Sequence, residues 1–333
     1  MKGMENGKIQ SGRANWGEQF VTPFRWTLPA VALIALSGLV ALPSTIRAAD
    51  GVQLPPVNLG DTNFIDGPGY PGWFVEEFLD YYEAGHFDDD LGRTIAGSNK
   101  ITIASTTTHV AYTTKYKLFG GYYGFEVLVP LVDIDARTSI GPNSRDRGIG
   151  DLTVSPFILQ WDGQKVMGMP FFQRFDIPID IPTGKYSDRH AVNIGNNIVT
   201  INPYYAFTIM FTDRLELSAR LHYLWNSEND DPYTGLNAGS IQAGEAFHAN
   251  YSVSYEVIKG LRVGFNGYVL QQFTDDKFNG NRQPGSEERV FGLGPGMLVT
   301  VKEWMVFVNG YFETGVDNRP AGSKVVLRLS KAF

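Results

Sequence analysis

Residues Leu215–Asn226 limit the fold more than any other stretch. Leu215, Leu217, Ala219, Leu221, Tyr223 and Trp225 alternate with Glu216, Ser218, Arg220, His222, Leu224 and Asn226. Successive side chains of a strand point to opposite faces, so one face here is apolar and the other largely polar. A soluble antiparallel sheet alternates in the same way with its polar face in water, which leaves a β-sandwich and a membrane barrel both open. The number, length and spacing of similar stretches decide between them.

Five pairs of long β-rich runs share this character. Residues 100–118 and 122–135 flank Phe119-Gly120-Gly121, and 152–161 and 165–180 flank Asp162-Gly163-Gln164. Residues 199–211 and 215–226 flank Thr212-Asp213-Arg214, 245–257 and 261–273 flank Ile258-Lys259-Gly260, and 291–301 and 304–313 flank Lys302-Glu303. A run at 74–82, where adjacent Glu76 and Glu77 spoil the alternation, precedes these pairs, and 325–333 closes the chain. Longer polar segments lie at Asp88-Asp89-Asp90 and around 139–150, 181–197, 227–242, 274–289 and 314–324. Five tight turns alternating with six longer loops predict an all-β fold of twelve antiparallel strands, its two ends emerging on the tight-turn side. That is the plan of an outer-membrane β-barrel with short periplasmic turns and longer external loops. Runs of nine residues or more suit a tilted membrane crossing and exceed most strands of soluble domains. Tyr122, Tyr123, Trp161, Trp225, Trp304 and Phe333 gather near run ends, as an interfacial girdle requires. Phe333 follows Val325, Leu327 and Leu329 on one face and resembles the terminal signal by which the barrel-assembly machinery recognises its clients. A secreted β-sandwich is the alternative, but it has no reason to collect its long loops at one end.

The N-terminus reads as a targeting segment. Lys2, Lys8, Arg13 and Arg25 outnumber Glu5 and Glu18 ahead of an apolar run over 26–42, which contains Pro29 and Gly38 and ends in Pro43-Ser44-Thr45-Ile46-Arg47-Ala48-Ala49. A signal peptide over 1–48, cleaved near Ala48, is expected, with an N-terminal membrane anchor as the alternative. Its removal leaves the remainder more acidic than the full chain's net charge of −7, which suits no nucleic-acid partner. The absence of cysteine rules out disulfides, thiolate metal sites and cysteine nucleophiles. Residues 49–73 contain Pro55-Pro56, Gly67-Pro68-Gly69 and Pro71-Gly72 and cannot pair as a regular strand. They are expected to form a periplasmic arm before a barrel over 74–333, or a plug gated by Leu54, Val57, Phe64 and Ile65.

Projecting the alternation inward gives the candidate lumen lining Glu126, Arg174, Asp176, Asp180, Glu216, Arg220, His222, His248, Asn250, Glu256, Arg262, Asn266, Asn309, Glu313 and Arg328. Both signs of charge occur, so ion pairs and hydrogen bonds filling a narrow barrel are expected, since twelve strands lie between a packed eight and an open sixteen. Pro178 and Pro203 each remove a ladder donor and mark a possible wall irregularity, read either as strand-end disorder of the ladder or as a lateral exit for an apolar solute. Pro156 and Pro295 raise the same question. His222 with Ser218 and His248 with Ser252 are spaced four apart, about 13 Å along a strand, too far for proton transfer. No Gly-x-Ser-x-Gly elbow occurs, so an outer-membrane lipase or esterase is a weaker alternative function and no catalytic residue is assigned. A structural or adhesive barrel is a third reading. Asp88, Asp89 and Asp90, like Glu228, Asp230 and Asp231, read as solvated loop carboxylates rather than calcium ligands, and no metal or cofactor is expected.

Three short motifs, Gly148-Ile149-Gly150-Asp151-Leu152, Pro182-Thr183-Gly184-Lys185-Tyr186 and Asn193-Ile194-Gly195-Asn196, follow in order around the fourth to sixth runs. With them the chain resembles the family of outer-membrane proteins associated with meta-pathway degradation of phenol and related aromatics, from about 73 to 333. The resemblance implies a Gram-negative outer-membrane barrel acting as a channel for hydrophobic compounds, and it brings no catalytic residues with it. The combined expectation is passive uptake of small hydrophobic or aromatic solutes, with outer-membrane lipid and the barrel-assembly machinery as partners. Nothing resembles a nucleotide-binding loop that would drive the transport.

Overall fold

A computed structural model describes residues 52–139 and 141–333; the expected signal peptide lies outside the described residues. The wall consists of β1 (Gly72–Phe87), β2 (Lys100–Leu118), β3 (Gly121–Arg137), β4 in two pieces (Ser144–Ile149 and Leu152–Val166), β5 in two pieces (Met169–Asp176 and Ile179–Ile181) and β6 in two pieces (Thr200–Ile201 and Tyr204–Met210). It continues with β7 (Leu215–Asn226), β8 (Ala246–Ile258), β9 (Leu261–Gln272), β10 (Arg289–Val301), β11 (Trp304–Asp317) and β12 (Pro320–Ala332). Each strand pairs antiparallel with its neighbours in sequence, and β12 pairs with β1, with Phe78 opposite Arg328 and Tyr82 opposite Lys324. Closure leaves no unpaired sheet edge, the condition a strand protein must meet in hydrocarbon. A small separate sheet of Ile241–Gln242, Asp276–Phe278 and Asn281–Gln283 stands among the long loops.

The alternation read in the sequence is the division between lipid and lumen. Glu216, Ser218 and His222 of β7 are buried inside, whereas Leu221 and Tyr223 are exposed on the outer face. Val253, Tyr255, Val263, Phe265, Leu293, Met297 and Val325 continue that apolar belt on the following strands. A charge in the belt loses its hydration, at about 2–4 kcal/mol for arginine near mid-bilayer. Leu221→Arg is therefore expected to lower the folded, membrane-inserted fraction, read as heat-modifiable electrophoretic mobility. Wild-type yield of that variant would contradict the assignment of this face to lipid.

The wall corrects several boundaries expected from sequence. Asp162-Gly163-Gln164 is not the turn: pairing passes from Trp161–Gln173 to Gln164–Phe171 across a bulge, and the chain reverses at Met167 and Gly168. Both turn residues have positive φ, 52° and 82°, the type I′ conformation whose twist matches a hairpin, while Gly163 at φ 65° absorbs the bulge. The expected loop over 314–324 is instead mostly strand: β11–β12 pairing ends at Phe312 and Ser323, but a bulge at Gly315 (φ 59°) lets β11 keep pairing with β10 up to Asp317, and after Asn318 and Arg319 the chain returns at Pro320 paired with β1. One of the six expected long loops is thus taken up largely by strand at the long-loop end. Within the expected loop 139–150, Ser144–Ile149 pairs with β3. Strand β1 exceeds 74–82 at both ends, and its glutamate doublet obeys the alternation: Glu76 is buried inside, and Glu77 points outward, where Thr108 Oγ1 donates to it at 2.8 Å and Thr106 also bonds to it.

Candidate functional site: the occupied lumen

Residues 52–71 add no strand to the wall and run inside it. Near the long-loop end the Leu54 N–H donates to Glu288 Oε1 (2.7 Å). Toward the short-turn end the Gly67 N–H donates to Thr208 Oγ1 (2.8 Å), and its carbonyl accepts from Gln160 Nε2 (2.7 Å). Between them, Asn250 Nδ2 donates to Asn58 Oδ1 (2.7 Å) while Asn250 Oδ1 accepts the Gly60 N–H (2.8 Å). The Tyr311 hydroxyl donates to the Gly60 carbonyl (2.6 Å), and Lys324 donates to the Leu59 carbonyl (3.0 Å) and pairs with Asp61. Gly60 is required twice over: it has φ 83°, and a Cβ there would stand 2.7 Å from Tyr311 Cζ. Arg220 grips Asp66 through two hydrogen bonds of 2.8 and 2.7 Å. Leu54 and Val57 pack on the cluster holding Leu59, Tyr268, Leu270 and Tyr311, and Phe64 and Ile65 pack with Leu298 and Phe307.

Around this segment the inward side chains form a connected polar lining. The His109 ring lies between Glu76 (2.9 Å) and Glu126 (3.0 Å), and Arg328 reaches Glu76 (3.4 Å) and Asn63 (3.2 Å) while lying 3.7 Å over the Phe307 ring. Arg174 Nε donates to Gln160 Oε1 (2.9 Å), Asp176 accepts from Tyr204 (2.9 Å) and Ser155, and Arg220 covers the Tyr204 ring at 4.2 Å. Glu216 accepts from Ser218 (2.6 Å) and Ser254, and Arg262 contacts the same Ser254 hydroxyl (3.2 Å). His222 and His248 stack with ring centres 4.0 Å apart, and both address Asn202 Oδ1, at 3.2 and 3.1 Å. Their bonded partner is an amide rather than a serine, so the rings form no nucleophile–base pair with Ser218 or Ser252.

All twelve charged or imidazole-bearing positions projected from the sequence fall on the inward register, but they do not form one site. Asp180 bonds to Thr153 (2.5 Å), Glu256 accepts the Gly260 N–H (2.8 Å) at a short turn, and Glu313 accepts from Tyr82 (2.7 Å) and Tyr268 (3.0 Å). Those three stand apart from the central group. Glu76, His109, Gln160, Asn202 and Asp66 belong to that group and were not singled out from the sequence. On β2, serine and threonine occupy both faces and conceal the phase that would have put His109 inside; Ile101, Ile103 and Ala111, apolar and in step with it, point the reading the wrong way, and Val110 on the opposite face is exposed. Asp66 lies in a stretch with no periodicity.

The three sequence motifs fold onto one another rather than into the lumen network. Asp151 Oδ1 accepts the Gly184 N–H (2.8 Å), and Asp151 Oδ2 accepts from the Asn196 backbone (2.7 Å) and side-chain amide (3.0 Å). The Lys185 N–H donates to the Ile149 carbonyl (3.0 Å), and a Cβ on Gly184 or Gly195 would collide with Gly150 or Gly184 backbone at 2.7 Å. This knot covers the break in β4, where the ladder stops. The adjacent wall is interrupted at both prolines: Asp176 pairs with Tyr204 and Ile179 with Ile201, and between them the Asn202 N–H donates to the Pro178 carbonyl (3.0 Å). Pro295, by contrast, stays in register opposite Phe265, and Pro156 sits at a register shift between β3 and β4.

At the long-loop mouth, Asp276 Oδ1 accepts from the Gly244 N–H (2.9 Å) and from Gln272 Nε2 (2.7 Å). Burial, reinforced by Glu288 and Glu287 and opposed by those two donors, raises its pKa from the ordinary 3.8 to about 7. Folding therefore favours the protonated carboxyl, and this contribution is complete below the ordinary carboxylate range and lost as pH rises through about 7. Local stability of this mouth, read from amide exchange at Gly244 and Glu245 corrected for its intrinsic rise with pH, is expected to fall between pH 6 and pH 8, flanking that value. Asp276→Asn, which cannot ionise, is expected to flatten the change, and an identical pH response in the variant would assign it elsewhere.

No curated protein matches the chain in sequence. Among solved structures it is similar to an outer membrane channel from Pseudomonas putida F1, at 14% identity and TM-score 0.72 over 84% of this chain and 100% of that one. Weaker similarity extends to the transport unit of the autotransporter AIDA-I from Escherichia coli (10% identity, TM-score 0.46, covering 86% and 95%) and to a TodX monoaromatic hydrocarbon channel (8%, 0.42, covering 80% and 91%). The first of these likenesses supports the closed outer-membrane barrel as a fold. A family model described as "Putative MetA-pathway of phenol degradation" matches residues 84–329, and the chain belongs to that family.

Proposed function

We propose that this protein is a passive outer-membrane channel for small hydrophobic or aromatic solutes, gated by residues 52–71. It performs no chemistry on what passes. The observation that carries the reading is that the lumen is filled by a segment that is no part of the wall: it is held by side-chain contacts and ion pairs, whereas the wall closes on its own ladder from β12 to β1. Membership of a family linked to phenol degradation favours aromatic solutes. The ladder gap at Pro178 and Pro203 lies beside the His222–His248 pair but keeps its register and is bridged from the Asn202 N–H to the Pro178 carbonyl, so the proposed path is axial. Cells carrying the protein in the outer membrane are expected to take up labelled toluene or phenol faster than cells lacking it. Equal uptake of aromatic and aliphatic probes with and without the protein would remove the channel reading.

A further inference from the structure

Phe64 and the polar groups around it form a part of the lumen whose occupant does not match its lining. The ring is fully buried against Leu298 and Phe307, with Met305 at its margin. It is fixed there by Ile65, whose φ of 53° is a conformation a β-branched residue seldom takes. The para carbon faces bare backbone: on β10 the inward positions 292, 294 and 296 are all glycine, and a Cβ on Gly296 would stand 2.8 Å from Phe64 Cζ and 2.6 Å from Asn309 Oδ1, and closer still to Asn266 Oδ1. Asn266 and Asn309 are each 1% exposed, yet among the described residues neither the oxygen nor the nitrogen of either amide has a hydrogen-bond partner. Ser252 Oγ, opposite Asn266 in the β8–β9 register, and Asn63 Nδ2 are unpaired as well. A buried amide without a partner is costly, and a phenyl ring offers it nothing.

We infer that this place is a subsite for a hydroxylated single-ring aromatic solute, whose ring position Phe64 fills while residues 52–71 occupy the lumen. The assignment rests on the channel reading above. The solute ring takes the place of Phe64 on Leu298 and Phe307, and its hydroxyl reaches Asn266 and Asn309. A phenolic hydroxyl both donates and accepts, and each carboxamide offers one acceptor oxygen and two donors, so the two amides satisfy a single hydroxyl from either side. An unsubstituted ring leaves all of them unpaired, as Phe64 does. Selectivity of this kind, in which polar site groups penalise the analogue lacking the hydroxyl, exceeds what apolar contact alone supplies.

The probes are 4-methylphenol and toluene, which differ by one hydroxyl. With full-length Phe64→Ala in nanodiscs, and with lipid partitioning subtracted, 4-methylphenol is expected to bind about tenfold more tightly than toluene, and Asn266→Leu with Asn309→Leu to abolish the preference. Equal binding, or a preference that survives loss of both asparagines, overturns the subsite. Phe64→Tyr provides a ligand-free test in the intact chain, because it puts a hydroxyl at the para carbon. Exchange protection of residues 60–68 is expected to rise about tenfold, and unchanged or lower protection counts against the amide pairing. Liposome flux separates the two levels: no protein-dependent flux of either probe defeats the channel reading, whereas equal flux of both, with equal binding, defeats only the subsite.

Discussion

Deleting residues 52–69 is expected to raise single-channel conductance severalfold in planar bilayers while leaving a folded barrel. The deleted segment supplies no ladder hydrogen bond to the wall, and β1 starts beyond it, at Gly72, with the Phe333 N–H donating to the Trp73 carbonyl at 2.8 Å. Twelve strands enclose more space than the packed eight-stranded barrels, and here the surplus is taken by Leu59, Phe64 and the backbone between them. Once the segment is gone, Asn250, Tyr311 and Arg220 face water, which satisfies them, and Lys324 keeps Asp80 at 3.4 Å. The measurement is conductance together with heat-modifiable mobility of the same preparation. Wild-type conductance from a folded deletion variant would show that residues 52–69 do not obstruct the pore.

The second large effect is expected at the clamp between that segment and β7. Asp66 and Arg220 form a bidentate pair with side chains 5% and 11% exposed. Removing one partner of such a pair leaves the other charge buried and uncompensated, at about 3–5 kcal/mol, whereas replacing both by apolar groups is often close to neutral. Asp66→Ala is therefore expected to open the channel and to increase exchange or proteolysis around residues 60–68. The Asp66→Leu, Arg220→Leu double variant is expected to return toward the closed behaviour. If Asp66→Ala stayed as closed as the wild type, the Tyr311 and Asn250 contacts at Gly60 would be holding the segment without the clamp.

Much of the wall was legible because its physics is local. Strands β2 and β7 begin and end where alternation and Gly120-Gly121 or Asp213-Arg214 place them, and the twelve-strand count follows from turn spacing. Boundaries failed where glycine had two uses. Gly163 and Gly315 read as loop residues in sequence, yet each lies in a bulge that lets pairing continue, a choice made by the neighbouring strand and not by the glycine. The motifs around Gly150, Gly184 and Gly195 signalled kinship without revealing that Asp151 is the atom set they converge on.

Sequence alone determined that this chain is a closed two-faced wall and which side chains of β7 meet lipid, because alternation with a period of two and turn chemistry are properties of neighbouring residues. The tertiary structure alone decided what fills the wall. Residues 52–71 have no periodicity, and their partners Gln160, Asn250, Tyr311 and Lys324 lie about a hundred to almost three hundred residues away, as for Gly67 with Gln160 and Leu59 with Lys324. Contacts of that kind are set by closure of the barrel, which brings every inward face around one axis, and no local pattern encodes which of them meet.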